Sequence, residues 1–160
     1  MKRRHFISLI AGALALARTA MAAKPEDPIA LQKLELSKEE WKKRLTPEQF
    51  AVLREEATER AGSSPLNSEK RKGSFACAGC DLPLFSSDAK YESGTGWPSF
   101  FAAIPGRVDT RTDYKLILPR TEYHCARCGG HQGHLFDDGP KPTGKRYCNN
   151  GVALKFAPGV

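Results

Sequence analysis

The chain has 160 residues, enough for one compact domain, with 40% apolar and 27% charged residues. Its net charge of +7 is concentrated at the start: four basic residues and no acid lie in Met1–Ala22, leaving 21 basic against 18 acidic residues beyond it, a net of +3. So small an excess argues against a basic surface for nucleic acid, and cysteine thiolates on a metal would lower it further.

Lys2-Arg3-Arg4, the apolar run from Phe6 to Ala17 and the small residues Ala20-Met21-Ala22 form the three parts of a secretory signal over residues 1–22. The run is too short to span a bilayer, so no stable membrane anchor is expected after cleavage. A buried or anchoring helix is the competing reading. KRRHFIS also resembles the twin-arginine export signal, which implies passage of an already folded chain to the bacterial periplasm. Residues 23–36, with Lys24-Pro25-Glu26-Asp27-Pro28, read as a linker, and 37–160 as the domain.

Two short helices are expected next. Ser37-Lys38-Glu39-Glu40 carries the S-x-x-E capping pattern ahead of Trp41 and Leu45. Thr46-Pro47-Glu48-Gln49 combines a threonine cap, proline in the first turn and glutamine three residues on. Phe50, Leu53 and Ala57 then recur with helical spacing, and Gly62 reads as the stop.

From Pro65 onward glycine and proline come every few residues. The apolar runs are short: Ser74–Ala76, Tyr114–Leu118 and Val152–Phe156. That is the punctuation of an antiparallel, mainly β domain with long loops. Cys77-Ala78-Gly79-Cys80 and Cys125-Ala126-Arg127-Cys128 lie 44 residues apart. Two such knuckles complete a tetrahedral thiolate shell, and Gly79, Gly129 and Gly130 suit their turns. The expected cofactor is one structural zinc ion. Redox-active CxxC pairs or disulfides are the alternative, although the βαβ setting usual for them is absent. A zinc-ribbon binding module would share the ligands, but the intervening Gly94-Thr95-Gly96-Trp97-Pro98-Ser99-Phe100-Phe101 is aromatic with little charge.

Cys148 is the fifth cysteine and has no partner in this scheme. On a strand, Arg146, Cys148 and Asn150 share one face. A guanidinium beside a thiol favours the nucleophilic thiolate, whereas an inert buried cysteine prefers apolar neighbours. His131 and His134 are candidate proton donors. Their spacing puts them on opposite faces of a regular strand, so both can converge only if the chain bends at Gly133.

CAGCDLPLF, YESGTGWPSF and CARCGGHQGHLFDDGPKPTGKRYCNNGVALKF together resemble the methionine-R-sulfoxide reductases, the B-type enzymes, from about Thr58 to Phe156. The resemblance implies two antiparallel sheets in a β-tent-like arrangement stapled by the Cys77/Cys80/Cys125/Cys128 zinc site. It also implies reduction of the R epimer of methionine sulfoxide in proteins. Carried over by position, Cys148 is the nucleophile. His131 and His134 deliver protons, Arg146 and Asn150 hold the thiolate and ordered water, and Trp97, with Phe136 at its border, lines the pocket for the substrate methyl group. Many members carry a resolving cysteine in the loop before GWPSF, and Thr95 takes that place here. The resemblance therefore implies a one-cysteine cycle, in which a Cys148 sulfenic acid is reduced by an external thiol or a thioredoxin-like partner. Gln132 and Asn149 stand where the family pattern is apolar, and Asn149, facing away from Cys148, is expected to affect packing or partner docking.

Overall fold

The computed structural model describes residues 31–115 and 118–159. The expected signal, residues 1–22, and most of the linker lie outside the described residues. Residues 31–36, at the linker's end, are docked: the Leu34 N–H donates to the Arg127 carbonyl at 2.8 Å and Lys33 Nζ to that of Ala126 at 2.7 Å. No helix among the described residues is long and apolar enough to cross a membrane.

Both helices begin where their capping residues place them. Helix α1 is Lys38–Arg44, capped by Ser37 with Glu40 reaching back, and α2 is Pro47–Glu55, capped by Thr46 and Gln49 in the same reciprocal way. Helix α2 ends seven residues short of Gly62. Glu56 adopts the left-handed conformation, φ 57°, and the Ala51 carbonyl accepts the Glu56 and Ala57 N–H groups. Tertiary bonds override the local pattern here: Arg111 and Lys115 hold the Glu56 carboxylate, and Glu59 is drawn to the backbone of Gly151 and Val152.

Among the described residues nine strands follow: β1 Gly73–Cys77, β2 Pro83–Ser86, β3 Lys90–Tyr91, β4 Ser99–Phe100, β5 Val108–Asp113, β6 Arg120–Cys125, β7 His131–Phe136, β8 Arg146–Asn149 and β9 Leu154–Pro158. They form two antiparallel sheets, ordered β2-β1-β9 and β3-β4-β8-β7-β6-β5. Of the run expected at Tyr114–Leu118, the described residues Tyr114, Lys115 and Leu118 lie outside any strand. The Lys115 N–H turns back onto the Asp113 carboxylate at 2.9 Å, which stops β5, and Tyr114 and Leu118 are exposed.

Aromatic rings join the sheets. Phe75 and Phe85 of the smaller sheet meet Phe100 of the larger at 4.9 and 4.2 Å between centroids, and Tyr123 and Tyr147 close the cluster at 5.2 Å. Phe75, Phe85, Phe100 and Tyr123 are wholly buried, each contributing about 2–3 kcal/mol of apolar transfer. Tyr147 and Asn149 of β8 point into this layer, which leaves Arg146 and Cys148 on the opposite face, as strand alternation requires.

Strands β7 and β8 lie unusually close at Gly133, where an added Cβ would stand 1.9 Å from the Cys148 carbonyl oxygen. Gly133→Ala is expected to force β7 away from β8 and destabilise the chain by about 1–3 kcal/mol, measured by denaturant unfolding. Wild-type stability in that variant would refute this account of the strand contact.

Candidate active site

At the end of β1 and of β6 the chain makes two matching knuckles. The Cys77 carbonyl accepts the Asp81 N–H at 2.9 Å and the Cys125 carbonyl accepts that of Gly129 at 2.8 Å, with both donors left-handed at φ 58° and 67°. Only Gly129 of the three glycines expected to serve the turns does so by its backbone conformation. Gly130 instead leaves room for Leu53 of α2, which an added Cβ would meet at 3.0 Å. Helices α1 and α2 cover the knuckles, with Arg44 Nε donating to the Gly79 carbonyl at 2.7 Å and Arg54 Nη1 to that of Cys128 at 2.8 Å.

The sulfurs of Cys77, Cys80, Cys125 and Cys128 lie within 4.8 Å of one another, all buried, with 3.7 Å between Cys77 and Cys128 and 3.5 Å between Cys80 and Cys125. A tetrahedral zinc–thiolate shell needs sulfurs about 3.8 Å apart. The four residues therefore fit one zinc ion, and none is engaged in a disulfide. All four positions of the shell are protein sulfur, so the metal would hold structure and leave no site for substrate.

The second constellation lies along β8. Cys148 sits opposite Ser99 of β4 on one side and His134 of β7 on the other. A cleft of about 120 Å³ opens over it, lined by Trp97, His134, Phe136, Cys148 and Asn150, together with Thr58 and Arg120. The Trp97 indole N–H donates to the Glu59 carbonyl at 3.2 Å, which orients the ring. Thr95 Oγ1 stands 4.0 Å from the Cys148 sulfur and 2.8 Å from the Ser93 hydroxyl.

The two histidines do converge, by a different device from the one expected. In the β6–β7 pairing His124 faces His131 and Tyr123 faces Gly133, so Gln132 is an extra residue, a β-bulge. It brings the two imidazoles to 5.6 Å between centroids. Each ring is held by a carboxylate that no sequence motif marks. Glu122 accepts from His131 Nδ1 at 2.6 Å, and Asp113 from His134 Nε2 at 2.8 Å while also binding Arg120 at 2.7 Å. The Lys115 N–H, then His134 and Arg120, hold Asp113 well below the usual carboxylate range, so it is an acceptor throughout. His131 is buried behind the cleft. Desolvation lowers its pKa against the pull of Glu122, which makes it neutral near pH 7 with Nδ1–H on Glu122 and a buried, unpartnered Nε2.

Arg146 and Asn150 each have further partners of their own. Arg146 makes a two-pronged ion pair with Asp138 at 2.8 Å in each arm and lies over Phe136 at 4.2 Å. Both polar ends of Asn150 are engaged by backbone: Oδ1 accepts the Glu59 N–H at 3.0 Å and Nδ2 donates to the Gln132 carbonyl at 3.0 Å. Asn150 thus fixes the wall of the cleft. Glu59 ties Trp97, Asn150 and the turn after β8 together, a role its position in the sequence does not signal.

Burial pushes the Cys148 thiol above its ordinary range; the Thr95 hydroxyl and the Arg146 guanidinium pull it down without prevailing. In the metal-loaded chain, alkylation of Cys148 should therefore rise with pH to a midpoint above that of free cysteine, and Arg146→Ala should move the midpoint higher still. A midpoint below free cysteine, read from iodoacetamide rates, would show that Arg146 and Thr95 outweigh burial.

Comparison with known proteins agrees with this geometry. The SelR domain model matches residues 45–158, which takes in α2 as well as the strands. The peptide methionine sulfoxide reductase MsrB of Methanosarcina barkeri is 54% identical over 129 residues, covering 80% of this chain and 91% of the relative. That of Leptospira interrogans is 53% identical, covering 75% of this chain and 92% of the relative. The chloroplastic peptide methionine sulfoxide reductase B1 of Arabidopsis thaliana is 48% identical, covering 86% and 70%. With more than two-thirds of its length matched by the family model and about half of the aligned residues identical in these relatives, the chain belongs to the SelR family.

Proposed function

We infer that this chain is a peptide-methionine (R)-S-oxide reductase, an oxidoreductase that returns oxidised methionine in proteins to methionine using thiol as reductant. The observation that carries the reading is the single cleft over Cys148, where a half-buried thiol, an imidazole and an aromatic wall meet. Trp97 and Phe136 suit the methyl–sulfur end of the substrate, since aromatic rings make favourable contacts with sulfur.

Cys148 attacks the sulfoxide sulfur as the thiolate. The sulfur–oxygen bond breaks, methionine leaves, and the oxygen ends on Cys148 as a sulfenic acid: substrate sulfur gains two electrons and Cys148 loses two. His134 supplies the proton that the oxygen needs. Asp113 fixes its Nε2–H, so Nδ1 is the nitrogen free to exchange a proton with the substrate. His131, held by Glu122, assists from behind with its open Nε2. Arg146 favours the thiolate electrostatically, and Asn150 shapes the cleft.

The other four cysteines form the buried cluster, and the residue beside Cys148 is Thr95. The sulfenic acid is accordingly reduced from outside: two external thiol groups, from a thioredoxin-like protein or a small dithiol, leave as a disulfide with release of water. With zinc-loaded protein and dithiothreitol, the R epimer of a methionine sulfoxide peptide should be consumed and the S epimer spared. Cys148→Ser should lose activity by at least about 10³-fold. Dimedone should label Cys148 during turnover without any internal disulfide. Reduction of both epimers alike, full activity in Cys148→Ser, or an internal Cys148 disulfide would overturn the respective part of the reading.

We also propose that the chain is exported, on the basic, apolar and small-residue order of residues 1–22. Expressed in a bacterium with an intact twin-arginine route, the mature protein should start at Ala23 in the periplasm, and Arg3→Lys with Arg4→Lys should retain it in the cytoplasm. An uncleaved cytoplasmic chain in the wild type would refute export.

A further inference from the structure

We propose that Gln132 and Asn149 are positioning residues that couple the metal site to the strand carrying the nucleophile. The proposal rests on reading the four-cysteine cluster as metal-bound and Cys148 as the reactive thiol. Gln132, Asn149 and Tyr123 are each wholly buried. The Tyr123 hydroxyl donates to Asn149 Oδ1 at 2.6 Å, Asn149 Nδ2 to Gln132 Oε1 at 3.4 Å, and Gln132 Nε2 to the Cys77 sulfur at 3.4 Å.

Every donor in this chain points the same way, and its sulfur end fixes that direction. The Tyr123 hydroxyl stands at one end of it and donates to Asn149 Oδ1. A metal-bound thiolate carries no proton and can only accept, which defines the other end. Turning Gln132 round would set its carbonyl oxygen against the thiolate, and turning Asn149 round would set its carbonyl oxygen against that of Gln132. Buried amides cannot turn to water instead, so the sequence of donors is held as one unit.

The chain passes through the residue next to Cys148. Asn149 also donates from Nδ2 to the Asn150 carbonyl at 2.8 Å, and its own N–H donates to the Pro98 carbonyl at 2.9 Å beside Trp97. The Gln132 carbonyl in turn accepts from the Asn150 N–H at 2.8 Å. Metal at Cys77 therefore sets the amide of Gln132, which sets Asn149 and the path of β8 under the nucleophile. The bulge that makes Gln132 an extra residue in β7 is what turns it into the core to reach the sulfur. This also disposes of partner docking as a role for Asn149, which is inaccessible.

The test uses the full chain loaded with zinc or with cobalt, and the variants Gln132→Leu, Tyr123→Phe and both together. Tyr123→Phe removes one hydroxyl, keeps the ring volume and touches no metal ligand. Gln132→Leu should speed metal transfer to a chelator by about tenfold or more and shift the thiolate-to-cobalt charge-transfer band. Tyr123→Phe should move the same band in the same direction and speed metal loss severalfold, and add nothing in the Gln132→Leu background. Iodoacetamide modification of Cys148 at fixed pH should change in both single variants. Tyr123→Phe with wild-type band position and metal release, or with an effect that adds in full to Gln132→Leu, would overturn the coupling. Unchanged Cys148 modification in Tyr123→Phe would overturn its reach to the nucleophile. Should Gln132→Leu fail to fold, Tyr123→Phe alone decides the matter. Absence of sulfoxide reduction by the wild type would refute the proposed function and leave these metal readouts standing.

Discussion

The four-sulfur cluster is the constraint on which the rest of the molecule depends. Cys77 closes β1 of the smaller sheet and Cys125 closes β6 of the larger, so one ion would fasten the two sheets at their ends. Metal binding in small structural zinc sites is worth about 10–16 kcal/mol, comparable with the whole net stability of a typical domain, about 5–15 kcal/mol. Ring packing between Phe75, Phe85 and Phe100 fills the space between the sheets, but the strands are short, two of them only two residues long. Strands that short hold register only if something else holds their ends.

With the sheets fixed, the face that carries Cys148 follows from strand alternation. Tyr147 and Asn149 go inward, Arg146 and Cys148 outward, and Cys148 arrives between Ser99 and His134. The close approach at Gly133 and the bulge at Gln132 then decide which side chains share the cleft. His134 lines it, while His131 sits behind with its carboxylate partner. Burial raises the thiol's pKa and lowers that of the His131 imidazole behind the cleft, so desolvation favours the uncharged form of each.

Much of this was legible in the residues. The two capping boxes place both helix starts, since caps are local chemistry, and the paired CxxC spacing defines the metal ligands. The lone cysteine between Arg146 and Asn150 lies at the cleft lined by Trp97, His134 and Phe136. What was hidden depends on contacts across the fold. Asp113 and Glu122 reach His134 and His131 from strands 21 and 9 residues away in the chain, with no motif to announce them. The end of α2 was missed because Glu56 answers to Arg111 and Lys115, and the end of β5 because the Asp113 carboxylate captures the Lys115 N–H. Asp138 pairs with Arg146, and backbone groups engage both ends of the Asn150 amide, contacts that no motif marks.

The chain's two tryptophans occupy separate ends of this design. Trp41 packs under α2 with its ring beside the Gly79 knuckle and the Arg54 guanidinium 4.9 Å from the ring centre, whereas Trp97 walls the cleft and donates to the Glu59 carbonyl. An indole's emission follows its immediate surroundings, so the molecule contains one built-in fluorophore for the stapled end and another for the open end. Light absorbed by a single chain can thus distinguish unfastening of the sheets from occupation of the cleft.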